Sequence, residues 1–226
     1  MSNKIKIKSA DDKDIPVYIY EPSIERIGAI VLIQEIFGVN DHIKDVAKKF
    51  SNEGFVTWVP DIYFRIEDDV NLGYSTDEIK KGKSLKEKLG WDLPTMDILS
   101  CIANLKVSYN VATIGFCYGG SLSWRAACTA YGLDASVCFY GSQIASFLDK
   151  NPRCSTLVHL AEEDPTINKE DQKKIIEFSK NKEPAIIIHN YKNADHGFFC
   201  DQRKNFNKEN RDLAFKRTIE FLKDSL

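Results

Sequence analysis

The stretch that decides the fold is Gly115-Phe116-Cys117-Tyr118-Gly119-Gly120, which directly follows the apolar run Val111-Ala112-Thr113-Ile114. It has the G-x-C-x-G form of a nucleophile elbow, with cysteine at the position where serine is more common. The nucleophile of such an elbow occupies a sharp strand-to-helix bend, and glycines are needed because larger side chains would collide with the strand and the helix. The residues from Ser121 onward predict that helix, so the Cys117 thiol would lie near a helix N-terminus, which favours a thiolate.

The histidines after Cys117 decide whether this turn is catalytic, because small-residue turns between strands and helices are also common structural features. In folds built on this elbow, the nucleophile is followed along the chain by an acid and then by a histidine. His159 and His189 lie in or at the end of apolar runs and are interpreted as core histidines. His196 lies in a loop after the last predicted strand, where α/β proteins place catalytic groups, and is the candidate base.

Three carboxylates follow the predicted strand at residues 156–160, namely Glu162, Glu163 and Asp164. Asp164 is the best placed, because Pro165 fixes a turn directly after it and favours an extended backbone at Asp164. The two glutamates are interpreted as solvated loop charges. The predicted triad is therefore Cys117, Asp164 and His196.

The apolar run at residues 29–33 predicts a strand buried on both faces of a parallel sheet, and it leads into Gln34-Glu35-Ile36-Phe37-Gly38. In this arrangement the loop after the strand supplies one oxyanion-hole N–H, and the residue after the nucleophile supplies the other. These positions correspond to the backbone amides of Ile36 and Tyr118. The Glu35 carboxylate could point outward to water or inward toward the thiol, and the sequence leaves both orientations open.

Together these motifs resemble the dienelactone hydrolase (carboxymethylenebutenolidase) family. Besides the elbow, the resemblance rests on Gln34-Glu35-Ile36-Phe37-Gly38, Pro60-Asp61-Ile62-Tyr63, Asp164 and His196-Gly197-Phe198. It implies a single α/β-hydrolase domain over residues 1–226 that opens enol-lactones or related esters through a cysteine acyl-enzyme. By the same resemblance, Cys117 is the nucleophile, and Asp164 and His196 are its partners. Glu35 then contacts the resting thiol and helps to take its proton once substrate has bound.

The chain departs from the family pattern where substrate would bind. Well-studied members hold the substrate carboxylate with arginines, one before the middle helix and one four residues after the catalytic histidine. Here the second position is Cys200, and the first segment offers lysines, which cannot form the bidentate fork of an arginine. The candidate substrate-binding cations are Arg65, Lys80, Lys81 and Arg203. The catalytic apparatus therefore matches the family, whereas the dienelactone substrate does not follow from the sequence.

Three functions are compatible with these residues. The favoured one is a cysteine-dependent hydrolase of small lactones or esters. The second is a thioesterase or general carboxylesterase that uses the same triad, and the third is a non-catalytic protein with this fold that serves in binding or redox sensing. The complete set of Cys117, Asp164, His196 and Glu35 argues against the third, because a purely structural role requires none of these side chains.

The order of predicted elements indicates an α/β-hydrolase fold, with a mostly parallel central sheet flanked by helices. Residues 4–9 and 15–20 alternate in polarity around Asp11-Asp12-Lys13-Asp14, and they predict an antiparallel N-terminal hairpin at the sheet edge. Residues 65–90 are polar and lysine-rich, and they predict a lid or substrate-facing excursion with helical pieces.

Composition excludes several other classes of protein. The 226 residues carry a net charge of −2 without a long basic run, which argues against a nucleic-acid partner. No apolar stretch approaches the roughly 20 residues that span a bilayer, and the N-terminus does not resemble a signal peptide. The six cysteines are scattered without a C-x-x-C motif, so no metal site, cofactor or disulfide framework is indicated. We expect a cytoplasmic protein, monomeric or weakly homo-oligomeric, whose partner is a small-molecule lactone or ester and not a membrane.

Overall fold

The computed structural model describes residues 3–226, and its centre is an eight-stranded sheet. The strand order is β1-β2-β4-β3-β5-β6-β7-β8. The strands are β1 (Asn3–Lys8), β2 (Asp14–Tyr20), β3 (Gly28–Ile33), β4 (Phe55–Pro60), β5 (Val111–Phe116), β6 (Ala135–Phe139), β7 (Ser155–Ala161) and β8 (Ile186–Tyr191). β2 pairs antiparallel with β1 and with β4, whereas the remaining pairs are parallel. This confirms the predicted mostly parallel sheet with an N-terminal antiparallel hairpin.

Six α-helices occur in the described part of the chain. They are α1 (Asp41–Asn52), α2 (Thr76–Leu89), α3 (Asp92–Leu105), α4 (Tyr118–Thr129), α5 (Lys169–Ser179) and α6 (Lys208–Ser225). Two short 3₁₀ segments, Ile62–Arg65 and Ile144–Phe147, follow β4 and β6. Among residues 3–226, no helix combines the length and the apolar character that crossing a membrane would require.

Strand β3 illustrates why the sheet is buried on both faces. All six of its residues are buried. Ile30 and Leu32 belong to a hydrophobic cluster that also contains side chains of α1 and α6. Ala29, Val31 and Ile33 point to the other face and belong to a cluster with side chains of α3. Since successive strand residues face opposite sides, helices on both faces require an apolar residue at every position of β3.

Strand β8 is less buried than expected from the apolar run that ends at His189. It forms the outer edge of the sheet, and Ile187 is exposed. His189 is consequently only half-buried, so its assignment to the core was wrong. His159, one strand further in, is fully buried between the hydroxyl groups of Tyr191 and Thr218, at 2.8 and 3.0 Å from its ring nitrogens. The interpretation of His159 as a hydrogen-bonded core histidine is confirmed.

The segment 65–90 contains α2 and lies against the loop that follows β3. The hydroxyl of Tyr63, just before this segment, donates a hydrogen bond to the Ile36 carbonyl at 3.2 Å. Gly82 of α2 packs so closely on the same carbonyl that a Cβ at this position would lie 2.6 Å from its oxygen. The excursion therefore supports the proposed oxyanion loop, and its movement as a lid stays a prediction.

An ion-pair cluster around Arg65 ties the N-terminal hairpin to α3. The guanidinium binds the Asp97 carboxylate through Nε at 2.8 Å and Nη2 at 2.7 Å. It also binds both oxygens of Asp11, at 2.8 and 2.7 Å. The Asp97 side chain is 0% exposed, so its charge depends on this partner.

Asp97→Asn should destabilise the protein by about 3 kcal/mol, because the substitution removes one charge of a buried ion pair and leaves Arg65 only partly compensated. A suitable control is Asp92→Asn, since Asp92 lies on the same helix and pairs with Arg125 but is 93% exposed. It should cost under about 1 kcal/mol. Urea unfolding measures both free energies, and equal costs for the two variants would contradict a structural role for the Arg65–Asp97 pair.

Candidate active site

Cys117 lies at the turn between β5 and α4, where its backbone is left-handed with φ 55° and ψ −111°. This conformation is strained for a residue with a side chain. The glycines allow the surrounding chain to pack closely enough to hold it. A Cβ at Gly115 would lie 1.9 Å from the Gly119 carbonyl oxygen, and one at Gly119 would lie 2.4 Å from that of Ile33. The chain therefore forms a tight strand-to-helix elbow that presents a partly exposed Cys117 side chain at the carboxyl end of β5.

Asp164 follows β7 and His196 follows β8, and the two side chains form a buried hydrogen-bonded pair. The Nδ1 atom of His196 lies 2.8 Å from Oδ2 of Asp164. Thr166 holds the other carboxylate oxygen with its backbone N–H at 2.8 Å and its hydroxyl at 2.7 Å. The Thr166 hydroxyl is also 2.9 Å from Nδ1 of His196. These contacts favour the tautomer with the proton on Nδ1, which leaves Nε2 free to exchange a proton.

The charges around His196 change its proton affinity. Burial by itself would lower the pKa of His196, but the charged form of Cys117 and the Asp164 carboxylate outweigh burial and raise this pKa to about 10. Burial would likewise raise the pKa of Asp164, yet the contacts with His196 and Thr166 hold it below its usual value. The Asp164 carboxylate and the negatively charged form of Cys117 therefore both favour a protonated His196.

Glu35 is fully buried, which excludes the outward orientation that the sequence left open. Its Oε1 accepts a hydrogen bond from Nη1 of Arg203 at 3.3 Å. Its Oε2 has no hydrogen-bond partner within residues 3–226. The thiol contact implied by the family resemblance is therefore not present as a hydrogen bond. Glu35 contacts Arg203 instead, because a buried carboxylate that has lost its hydration needs a countercharge, which the guanidinium supplies.

Among the predicted cations, Arg203 lies beside Glu35 and Gly197 in the candidate active site. Its side chain is 17% exposed, and its guanidinium lies 5.9 Å from the Phe37 ring centre and 5.8 Å from that of Tyr74. A Cβ at Gly197 would lie 2.3 Å from Nη1, so the glycine after His196 makes room for the guanidinium. Burial lowers the pKa of Arg203, but the negative charge of Glu35, followed by smaller contributions from neighbouring groups, gives a net rise.

The other three candidate cations have partners elsewhere. Arg65 is held by Asp11 and Asp97, as described above. Lys80 pairs with Asp77 at 3.3 Å and Lys81 with Glu67 at 2.6 Å, both in exposed positions. These pairings leave Arg203 as the member of the set with a direct connection to the candidate active site.

The two candidate oxyanion-hole amides lie on adjoining pieces of chain. Tyr118 is the first residue of α4, so its N–H has no acceptor within the helix. Gly119 packs against the carbonyl groups of Ile33 and Gln34, which brings the first turn of α4 onto the loop that contains Ile36. This packing places both peptide groups beside the elbow.

Sequence reasoning missed two residues of this site, Thr166 and Tyr140. Tyr140 directly follows β6, has φ 37°, and is fully buried with its ring centre 5.0 Å from that of His196. Its hydroxyl has no hydrogen-bond partner in the described chain, and burial raises its pKa well above the usual value. Its place at the carboxyl end of a parallel strand was the signal that could have identified Tyr140.

Comparison with known proteins agrees with this geometry. The model of the Dienelactone hydrolase family matches residues 15–226. The chain belongs to this family. It is accordingly a hydrolase that acts on ester bonds, and the predicted α/β-hydrolase fold is confirmed.

Individual members of the dienelactone hydrolase family resemble the chain over nearly its whole length. A "Putative carboxymethylenebutenolidase" of Synechocystis sp. is 30% identical, over 92% of this chain and 91% of the relative. A carboxymethylenebutenolidase of Pseudomonas sp. is 29% identical, over 89% of this chain and 87% of the relative. The crystal structure of a "Putative Dienelactone Hydrolase" from Klebsiella pneumoniae superposes with a TM-score of 0.84 at 22% identity, covering 98% of both chains, which supports the fold.

Cys117→Ala should lower the pKa of His196, because it removes the negative charge that most opposes the effect of burial. Histidine NMR signals followed against pH measure this value. The chain has four histidines, and burial lowers the pKa of His159 well below its usual value, so His159 serves as a non-titrating reference. An unchanged His196 titration would contradict the pairing.

The sign of the linked stability effect follows from the raised pKa. A group with a raised pKa in the folded state stabilises that state most below its unfolded pKa, near ~6.5 for histidine. The contribution is lost as the pH rises through about 10. The excess stability of the wild-type protein over His196→Gln should therefore decline across that interval, and urea unfolding of both proteins at several pH values measures it.

Proposed function

We propose that this protein hydrolyses small lactones or esters through an acyl intermediate on Cys117. The observation that carries the proposal is the meeting of the strained Cys117 elbow with the hydrogen-bonded His196–Asp164 pair. The left-handed backbone of Cys117 lowers the stability of the fold and does not improve the packing of the core. Because this strain occurs next to an oriented imidazole, it argues for a catalytic role.

In the first half of the reaction, the Cys117 thiolate attacks the carbonyl carbon and a C–S bond forms. The carbonyl electrons move to the oxygen, which accepts hydrogen bonds from the amides of Ile36 and Tyr118. The C–O bond then breaks, and the leaving oxygen takes the proton from His196. The products are an acyl thioester on Cys117 and a neutral His196. For a lactone, the alcohol stays attached to the acyl group.

In the second half, a water molecule attacks the thioester while Nε2 of His196 takes its proton. The C–S bond breaks, and its electron pair returns to Cys117 as a thiolate next to the protonated His196. Asp164 remains ionised throughout and stabilises the imidazolium, as the acid of a catalytic triad does. The acid product leaves, and the starting charges are restored.

Cys117→Ala should reduce kcat/KM for lactone and ester hydrolysis by at least roughly 10³-fold, because no other group can form the acyl intermediate. Cys128→Ala is the matched control, since Cys128 is a buried cysteine at the far end of α4 whose thiol donates a hydrogen bond to the Lys150 carbonyl. It should retain activity within a few fold. Full turnover by Cys117→Ala would refute the mechanism.

The same assay should use a panel of carboxylate-bearing lactones, neutral aryl esters and acyl thioesters. If kcat/KM is highest for the thioesters, the protein is better described as a thioesterase than as a lactone or ester hydrolase. Stoichiometric alkylation of Cys117 without turnover of any substrate would favour a binding or redox-sensing protein.

We further propose that the substrate carries a carboxylate and that Arg203 binds it. The hydrogen bond to Glu35 uses one nitrogen of the guanidinium, Nη1, whereas arginine offers five N–H donors. The partly exposed guanidinium lies near both Cys117 and His196-Gly197, so it can reach an anionic group attached to an acyl chain. The family's expected arginine is displaced by three positions along the chain, from residue 200 to residue 203.

Arg203→Gln should raise KM for carboxylate-bearing lactones roughly 10- to 150-fold relative to neutral esters, because a charge-assisted hydrogen bond of about 1.5–3 kcal/mol is lost. The measured quantity is the ratio of the KM values for the two kinds of substrate. Any general effect of leaving Glu35 without its partner changes both KM values alike and cancels in this ratio. Lys81→Ala controls for surface charge and should leave the ratio unchanged. Equal effects of Arg203→Gln on both substrates would make a neutral ester the better assignment.

A further inference from the structure

Three side chains that can ligate metals meet beside Arg203. Glu35 follows β3, His42 lies in the first turn of α1, and Cys200 follows His196 by four residues. One carboxylate oxygen, one ring nitrogen and the Cys200 Sγ atom all lie within 4.8 Å of one another. The three residues are 0%, 3% and 0% exposed, respectively. We call them the Glu35–His42–Cys200 cluster.

Two atoms of this cluster are buried without a partner. Neither Oε2 of Glu35 nor Nε2 of His42 has a hydrogen-bond partner in the part of the chain that the structure describes. Both residues are almost completely buried, so water from bulk solvent does not compensate these atoms. Buried polar atoms are normally satisfied, and two of them in one cluster point to a missing partner. An electron-pair acceptor such as a cation would satisfy both.

Glu35 and Cys200 each also have an outer hydrogen-bond partner, and a carboxylate lies near the second nitrogen of His42. Such outer partners are characteristic of metal ligands, and a histidine ligand typically points its second nitrogen at a carboxylate. The three contacts are Glu35 Oε1 with Arg203 Nη1 at 3.3 Å, His42 Nδ1 with Asp201 Oδ1 at 3.7 Å, and Cys200 Sγ with the Tyr74 hydroxyl at 3.1 Å. They leave Oε2 of Glu35 and Nε2 of His42 available.

The chemistry of the donor set selects the kind of ion. A thiolate, an imidazole and a carboxylate suit Zn²⁺, whereas Mg²⁺ and Ca²⁺ prefer oxygen ligands alone. Cysteine binds zinc as the thiolate, so Cys200 would release its thiol proton on binding. The two negative ligands would then balance the charge of the ion, with Arg203 remaining on Oε1 of Glu35.

We propose that the Glu35–His42–Cys200 cluster binds one Zn²⁺ ion, with Oε2 of Glu35, Nε2 of His42 and Sγ of Cys200 as ligands and a water molecule in the fourth position. Tetrahedral ligands at about 2.0–2.3 Å from zinc lie closer together than the 4.8 Å limit, so binding would draw the three side chains slightly inward. The site replaces the sequence-based expectation of no metal, and it does not require Cys117 to be the nucleophile.

Cobalt binding tests the proposal, because tetrahedral Co²⁺ with a thiolate ligand gives a near-ultraviolet charge-transfer band. The full-length protein, freed of metal with a chelator, should bind one equivalent of Co²⁺ with this band and lose it on addition of Zn²⁺. Cys117→Ala should keep the band, whereas Cys200→Ser should abolish it. Glu35→Gln and His42→Gln should each weaken binding by at least roughly tenfold. Cys154→Ala, which alters a buried cysteine outside the cluster, should bind like the wild-type protein.

A measurement on Cys117→Ala loaded with Zn²⁺ guards against variants that fail to fold. X-ray absorption should show one sulfur at about 2.3 Å and nitrogen or oxygen ligands at about 2.0–2.1 Å. A zinc shell without sulfur in this variant would overturn the proposal. A band that disappears in Cys117→Ala would place the ion at Cys117 and His196 instead, and the absence of stoichiometric binding would also refute the site.

Discussion

The left-handed backbone of Cys117 is the constraint on which the rest of the site depends. Such a conformation costs roughly 1–3 kcal/mol and persists only where the surroundings enforce it. Here the enforcement is packing: Gly115 touches the Gly119 carbonyl, and Gly119 touches the chain at Ile33. The same close contact brings the start of α4 onto the loop after β3, so the elbow also positions the two amides proposed for the oxyanion hole. One local geometry thus links the nucleophile, the helix N-terminus and the neighbouring strand.

Countercharges explain the arrangement around this elbow. Two carboxylates, Asp164 and Glu35, have no exposed side-chain surface, and each lies beside a cationic or protonatable partner. Burying a carboxylate without such a partner would cost several kcal/mol of desolvation free energy, as a rough figure. The pairs differ in their hydrogen bonding. Asp164 is held by His196 and by two groups of Thr166, whereas Glu35 has one long contact with Arg203 and a free oxygen. The first pair is fully satisfied and rigid, and the second retains capacity for a ligand.

The sequence predicted the parts of this site that local patterns encode. Residues 111–120 combine an apolar strand with closely spaced glycines, and Asp164 and His196 each follow a strand, so their positions could be inferred in chain order. The start of α3 at Asp92 is harder to infer, because it precedes Pro94, and a proline is tolerated in the first turn of a helix. The Glu35–Arg203 contact joins residues 168 positions apart, and no local pattern reports such a pairing. For the same reason, the spacing of cysteines gave no indication that Cys200 lies near Glu35 and His42.

The electrostatics of His196 suit a thiol at the elbow better than a hydroxyl. A serine must lose its proton to the histidine during attack, which requires a neutral imidazole at the outset. The pKa of His196 is raised to about 10, chiefly by the charged form of the neighbouring Cys117, so the imidazole already carries a proton at neutral pH when the thiolate is present. This protonated imidazole can serve directly as the acid for the leaving oxygen. Since the raised pKa depends on the negative charge of the nucleophile, a serine would remove the stabilisation that holds the proton on His196. The cysteine of the elbow and the burial of its partners therefore act as one unit.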